Sequence, residues 1–152
     1  MTTDYIVASL PALTFDQKPA ITAEKFAEMA GRSPDEMAKA NLKWCDLETQ
    51  LRNAMAEARG GGEWRRAAEG CSVYWKTRVI NAFQERDTMK REELLDKIWW
   101  DAAGELITPT APLGNGALAA YAVRLCIALK RAGISRDAGS EVFEKETQVQ
   151  AI

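Results

Sequence analysis

Between Pro34 and Arg59 the chain repeats one apolar spacing: Met37, Ala40, Trp44, Leu47, Leu51, Ala54 and Ala58 fall three, four, three, four, three and four residues apart. At 3.6 residues per turn this spacing draws one strip, so the stretch is constrained to be a helix that lays its seam against another helix. Ser33, Pro34 and Glu36 supply a capping box at its start, with serine at the N-cap, proline at N1 and glutamate at N3. A helix from Pro34 to Arg59 would run roughly 39 Å at 1.5 Å per residue, a length suited to an antiparallel hairpin. Gly60, Gly61 and Gly62 would end it and supply the turn.

The remaining chain reads as helices joined by short breaks. Tyr5-Ile6-Val7-Ala8 is β-branched and stopped by Pro11, which predicts a strand or an extended arm laid on the helices. Thr22 can cap a short helix ending at Gly31. Glu63 to Glu85 has helical propensity, with a break at Gly70-Cys71. Asp87 or Thr88 then caps an amphipathic helix in which Leu94, Leu95, Ile98, Ala102 and Leu106 share a face. Two prolines and two glycines between Thr108 and Gly116 require a loop. Ala117 to Ala132 is apolar nearly all round, as expected of a central helix, and Gly133 is placed to end it in a left-handed cap. A final polar helix, about Arg136 to Gln148, offers Val142 and Phe143 to the core. The expectation is an all-α fold, a helical bundle with long antiparallel helices and a short extended N-terminal arm, forming a single helical domain over residues 1–152.

A chain of 152 residues can bury roughly 70% of its unfolded surface, enough for a core without metals or staples. Cys45, Cys71 and Cys126 form no CxxC pair and are odd in number, which fits neither a disulfide framework nor a zinc cluster; they are expected to be reduced, buried small hydrophobes. The N-terminus lacks a signal-peptide pattern and no apolar run approaches the ~20 residues of a membrane span, so a cytoplasmic location is expected.

The sequence contains no histidine, which removes the commonest general base, the Ser-His and Cys-His dyads and the usual nitrogen ligand of zinc. What remains for catalysis is a carboxylate pair, Glu92 or Asp96 with Asp101 or Glu105, one desolvated and one solvated. Acids in rows on an amphipathic helix are ordinarily solvated, so the chain is expected to have no enzymatic activity, no cofactor and no metal. The glycine stretches lack phosphate-loop patterns and read as turns. Trp64-Arg65-Arg66 and Tyr74-Trp75-Lys76-Thr77-Arg78 interleave cations and rings as a nucleic-acid surface does, but residues 63–91 hold seven Lys and Arg against four Asp and Glu, and a local excess of +3 releases few counterions. Trp99 and Trp100 point about 100° apart on a helix, so one belongs to the core and the other to a boundary or an interface.

Several stretches together resemble a bacterial family of short proteins encoded alongside V-type (V/A-type) ATP synthase subunits and distantly similar to the helical C subunit of that enzyme. Tyr5-Ile6-Val7-Ala8-Ser9-Leu10-Pro11 with Leu13 is similar to the family's aromatic-aliphatic-Ala-Ser-Leu-Pro opening. Leu51-Arg52-Asn53-Ala54 with Arg59 resembles its Leu-Arg-Asn run. Arg91-Glu92, Asp96, Trp100 and Glu105-Leu106 fall where the family has Arg-Glu, Asp, Trp and Glu-Leu, and Ala120-Tyr121, Leu125, Gly139 and Phe143 continue the likeness. The chain is shorter around Gly60 to Gly70, and has its Pro-Gly loop where the family places an aromatic-rich stretch.

The resemblance implies a non-catalytic accessory or C-like stalk component of an ion-transporting V/A-type ATPase, acting through protein–protein contacts with ATPase subunits and reaching the membrane only through that complex. Glu92, Asp96 and Trp100, stacked four residues apart, are the candidate partner interface. The alternative is a free-standing helical adaptor, or a nucleic-acid-binding module using segment 64–78.

Overall fold

A computed structural model describes residues 2–60 and 72–150, with side chains described as far as residue 134. The described residues form seven α-helices, a 3₁₀ turn and one isolated bridge, Thr108 to Ala111, so the fold class is all-α.

The N-terminal segment is helical, where the sequence predicts an extended arm or strand. Helix α1 spans Thr3–Ser9. Thr2 caps it, accepting the Tyr5 amide hydrogen at 3.4 Å, and Asp4 sits in the first turn where the helix dipole favours an acid. Leu10 turns extended ahead of Pro11, whose ring disfavours helical backbone in the residue before it. Seven residues do not hold a helix in water alone; Ile6 and Leu10 stabilise it by packing into a cluster with Leu118, Ala122 and Leu125. Tertiary burial thus overrides the β-propensity of Ile6-Val7.

Helix α2, Ala23–Ala30, begins at Thr22 and ends at Gly31 as the sequence predicts, with Gly31 in the left-handed conformation at a φ of +81°. The stretch after Ser33 is not one helix but two. Ser33 caps α3, Pro34–Lys39, accepting the Glu36 amide hydrogen at 3.2 Å. Asn41 then caps α4, Leu42–Ala58, accepting the Trp44 amide hydrogen at 2.9 Å. Asparagine side chains bond nearby backbone more readily than they continue a helix, and at Asn41 that competition ends one helix and starts the next. The apolar seam therefore holds for Trp44, Leu47, Leu51 and Ala54, all buried, and fails at Ala40, which is exposed beside the break. The break lets α3 pack on the last helix while α4 packs on α5, Val73–Ala82. Gly61, Gly62 and the Gly70-Cys71 break lie outside the described residues; Gly60 has φ +81°.

Helix α6, Thr88–Ala103, is capped by Asp87, whose Oδ1 accepts the amide hydrogens of Met89 at 2.9 Å and Lys90 at 3.3 Å. Leu95, Ile98, Ala102 and Leu106 face inward as expected, but Leu94 is 45% exposed, lying with Arg78, Asn81 and Lys97 over the edge of α5. The 3₁₀ turn Gly104–Leu106 follows. A Cβ at Gly116 would fall on the Leu106 carbonyl oxygen, so only glycine lets the last helix start this close.

That helix, α7, spans Asn115–Gln150 and runs through Gly133 without ending there. Gly133 does not have positive φ, so the predicted left-handed stop and separate last helix are replaced by continuous helical backbone. The side chains of Val142 and Phe143 lie outside the described ones. Its all-round apolar stretch serves two clusters. Ala119, Ala120, Val123 and Ile127 join Trp44, Leu51, Trp75, Val79, Ile98 and Trp100, while Leu118, Ala122 and Leu125 join Ile6, Leu10, Ile21 and Phe26. Cys45 and Cys126 are half-buried rather than fully enclosed, because both lie beside the exposed Lys39 at the α3–α4 break; the Cys45 thiol donates to the Lys39 carbonyl at 3.2 Å. No described helix is long and apolar enough to cross a membrane.

Candidate functional site

Helix α6 carries the three candidate interface residues, and the structure grades them from solvent to core. Glu92 is exposed and makes no ion pair within 4 Å among the described residues. Asp96, one turn on, is 14% exposed and lies under α7: its Oδ1 is 3.2 Å from Lys130 Nζ and its Oδ2 is 3.6 Å from an Arg131 nitrogen. Trp100, a further turn on, is 7% exposed. Phe15 meets it edge-on with ring centroids 5.6 Å apart, and the Arg124 guanidinium stands 5.5 Å over its ring while Arg124 Nε donates to the Trp100 carbonyl at 3.0 Å. The spacing of four puts the residues on one strip, but the strip runs beneath α7 and the 11–22 loop. As a surface residue Trp100 is therefore a correction: its ring is core, enclosed by residues the sequence does not mark as its neighbours.

Other carboxylates of α6 and of the 3₁₀ turn that follows it also hold neighbouring elements. Asp101 pairs with Arg78 of α5 at 3.0 Å and with Lys97 at 3.4 Å. Glu105 accepts the Trp75 indole hydrogen at 2.7 Å, and its carbonyl accepts from Lys43 at 2.8 Å. Glu93 is 3.7 Å from Arg131. Burial lowers the Arg124 pKa, an effect opposed by the charge of Asp101. Burial pushes the Cys126 thiol up to about 11, which leaves little thiolate at neutral pH and makes it a poor nucleophile. Among the described residues no three His, Cys, Asp or Glu stand where they could hold a metal ion.

Of the basic-aromatic segment, Trp64, Arg65 and Arg66 lie outside the described residues. Lys76 pairs with Glu57 at 3.2 Å, and Arg78 is bound to Asp101 and stands 5.8 and 5.4 Å over the rings of Tyr74 and Trp75. Trp75 is buried, so of these two rings only Tyr74 offers a face to solvent. Cations already matched to acids release few counterions to a phosphate backbone.

The feature that sequence reasoning missed lies on the other side of α6. Trp99 is half-buried and forms one wall of two adjoining hollows of about 250 and 460 Å³ that share it and Met55. The first has Leu95, Cys126 and Ile127 for a floor and Glu92, Asp96 and Lys130 for a rim; the second is edged by Arg52 and Arg59 of α4. The adjacency of two tryptophans is the signal for it, since only one ring of such a pair fits inside. Which one is decided by the loop that brings Phe15 to Trp100. No protein-family model, curated protein or solved structure matches the chain.

Proposed function

We propose that this chain is a non-catalytic helical component that acts by protein–protein contact, with its helices packed as an antiparallel bundle, and that its partner is a V/A-type ATPase, in which it serves as an accessory or C-like stalk element. The observation that carries the contact reading is the fate of the acids on α6 and on the 3₁₀ turn that follows it. Asp96, Asp101 and Glu105 are committed to Lys130, Arg131, Arg78 and Trp75 on α5 and α7. Acids whose oxygens are already taken up by side chains of neighbouring helices fix those helices in place, a role that fits a contact protein better than acid–base chemistry. The absence of histidine from the sequence points the same way. The half-buried Trp99 beside the exposed Glu92 supplies an apolar centre with a charged rim, the anatomy of a protein contact. The identity of the partner rests on the sequence resemblance alone.

The test is co-purification of the tagged full chain with V/A-type ATPase subunits from its native cells, compared with Trp99→Ala and with the double change Glu92→Lys, Asp96→Lys, each checked for folding by circular dichroism. Loss of ATPase subunits from folded variants supports the reading. Absence of those subunits from the wild-type eluate overturns the ATPase assignment.

A further inference from the structure

The two adjoining hollows that share Met55 and Trp99 make an open channel over α4, α6 and α7 whose charged lining differs from one hollow to the other. The α4 edge carries Arg52 and Arg59. Arg52 lies on α4 and Arg59 is its C-cap, seven positions and about 10.5 Å on along the helix axis, so both leave the same side of the helix. Arg52 is 70% exposed, its only ion pair among the described residues being the one with Glu48 at 3.2 Å. Arg59 is exposed, stands 5.2 Å over the Phe83 ring and has no acid within 4 Å among the described residues. The other hollow is lined instead by Glu92, unpaired among the described residues, and by Asp96 with its partner Lys130.

We infer that this channel is a docking groove for one amphipathic helix of a partner protein, whose apolar stripe is edged on the α4 side by two acidic residues seven positions apart. The inference deepens the contact reading above, on which it rests, by naming the surface and the chemistry of what covers it. A helix lying along α4 repeats its side chains with the same rise, so acids at i and i+7 meet Arg52 and Arg59 together. Apolar residues at i+1, i+4, i+5 and i+8 form a stripe centred about 90° from those acids, which therefore edge it, and face Met55, Ala56 and Trp99. Glu92, unpaired among the described residues and lining the hollow that the arginines do not, favours a basic residue elsewhere on the partner and disfavours a helix docked with its acids there. Trp99 is the anchor, a half-buried ring that a partner would complete the burial of.

The probe is a stapled, fluorescein-labelled helical peptide with leucines at i+1, i+4, i+5 and i+8 and glutamates at i and i+7, set against an otherwise identical peptide with lysines at those two positions. Fluorescence anisotropy with the full chain should show the glutamate peptide bound roughly tenfold more tightly, a preference that shrinks as salt is raised. The double variant Arg52→Glu, Arg59→Glu should reverse the preference, which loss of fold alone cannot do. Trp99→Ala, verified as folded by circular dichroism, should weaken both peptides. Equal binding of the two peptides, or an unchanged preference in the double variant, overturns the inference. So does a concentration-dependent dimer of the wild type that the double variant loses in sedimentation, since the occupant would then be a second copy of the chain. No ATPase subunit enters these measurements: failed co-purification beside selective peptide binding removes the ATPase and leaves the groove, and the converse removes the groove and leaves the ATPase.

Discussion

The Arg131 guanidinium lies over the Phe15 ring, its central carbon 4.0 Å from the ring centroid, and so pins the loop between α1 and α2 to α7. The same guanidinium lies 3.6 to 3.9 Å from Asp96, Glu93 and Asp16, and the same ring meets Trp100 edge-on. One half-exposed loop residue thereby covers the core tryptophan of α6. Phe15→Ala should lower stability by roughly 2 kcal/mol, less than a fully enclosed phenylalanine because the site is only partly buried. Arg131→Met, which keeps the aliphatic stem, should cost about 1 kcal/mol, since the guanidinium is 24% exposed and its ion pairs are screened. Urea titrations followed by tryptophan fluorescence measure both, and no change in either variant would mean that the loop contributes nothing to the fold.

Leu51 and Leu125 are each fully buried, as the helix seams predict, and they belong to different apolar clusters. Leu51→Ala and Leu125→Ala should each cost roughly 2 to 5 kcal/mol. Because the clusters share few side chains, the double variant should cost close to the sum. A value under about 0.5 kcal/mol for either would be that of an ordinary surface change and would refute its burial.

Two glycines of α7 should respond in opposite directions to alanine. At Gly116 a methyl group meets the Leu106 carbonyl, a backbone atom that cannot swing aside, so Gly116→Ala should destabilise by about 1 to 3 kcal/mol. At Gly133 a methyl group meets nothing within 4 Å and the backbone is helical, so Gly133→Ala should stabilise by roughly 0.5 to 1 kcal/mol. Thermal melts decide the matter. A lower melting temperature for Gly133→Ala would restore the left-handed helix stop that the sequence suggests.

Stability should fall in alkali. The Tyr121 hydroxyl donates to the Pro11 carbonyl at 2.6 Å, and burial pushes its pKa from 10.0 to about 12; burial likewise pushes Cys126 from 9.0 to about 11. Both groups bind their proton more tightly folded than unfolded. Their stabilisation is therefore fully present below pH 9 and is lost as pH climbs, between 9 and 11 for the thiol and between 10 and 12 for the phenol. A rise of two pH units would amount to roughly 2.7 kcal/mol in a fully enclosed site, and partial exposure of both groups reduces the loss to about 1 to 2 kcal/mol per group. Tyr121→Phe should cost about 1 kcal/mol at neutral pH through the lost hydrogen bond and should flatten the upper part of the alkaline decline. An unchanged pH profile in that variant would rule out Tyr121 as its source.

Local signals account for much of this molecule. Ser33, Thr22 and Asp87 cap helices where short-range chemistry says they must, Gly31 takes the left-handed cap, and the seam from Trp44 to Ala54 faces inward because helical spacing leaves those residues no other common side. Each of these choices is made within a few residues, so sequence alone determines it. Tertiary packing decided the rest. Ile6-Val7 became helical because α7 offered an apolar surface to Ile6 and Leu10, and α7 continued through Gly133, a residue whose missing side chain leaves local sequence a choice between stopping and continuing. Asn41 ended a helix whose seam read as unbroken, since capping α4 let α3 and α4 pack on different helices. The candidate site turned on the same kind of long-range event. Helical geometry says that Trp99 and Trp100 diverge, but the packing of α7 and of a loop some 85 residues earlier, carrying Phe15, encloses Trp100 and leaves Trp99 half-buried.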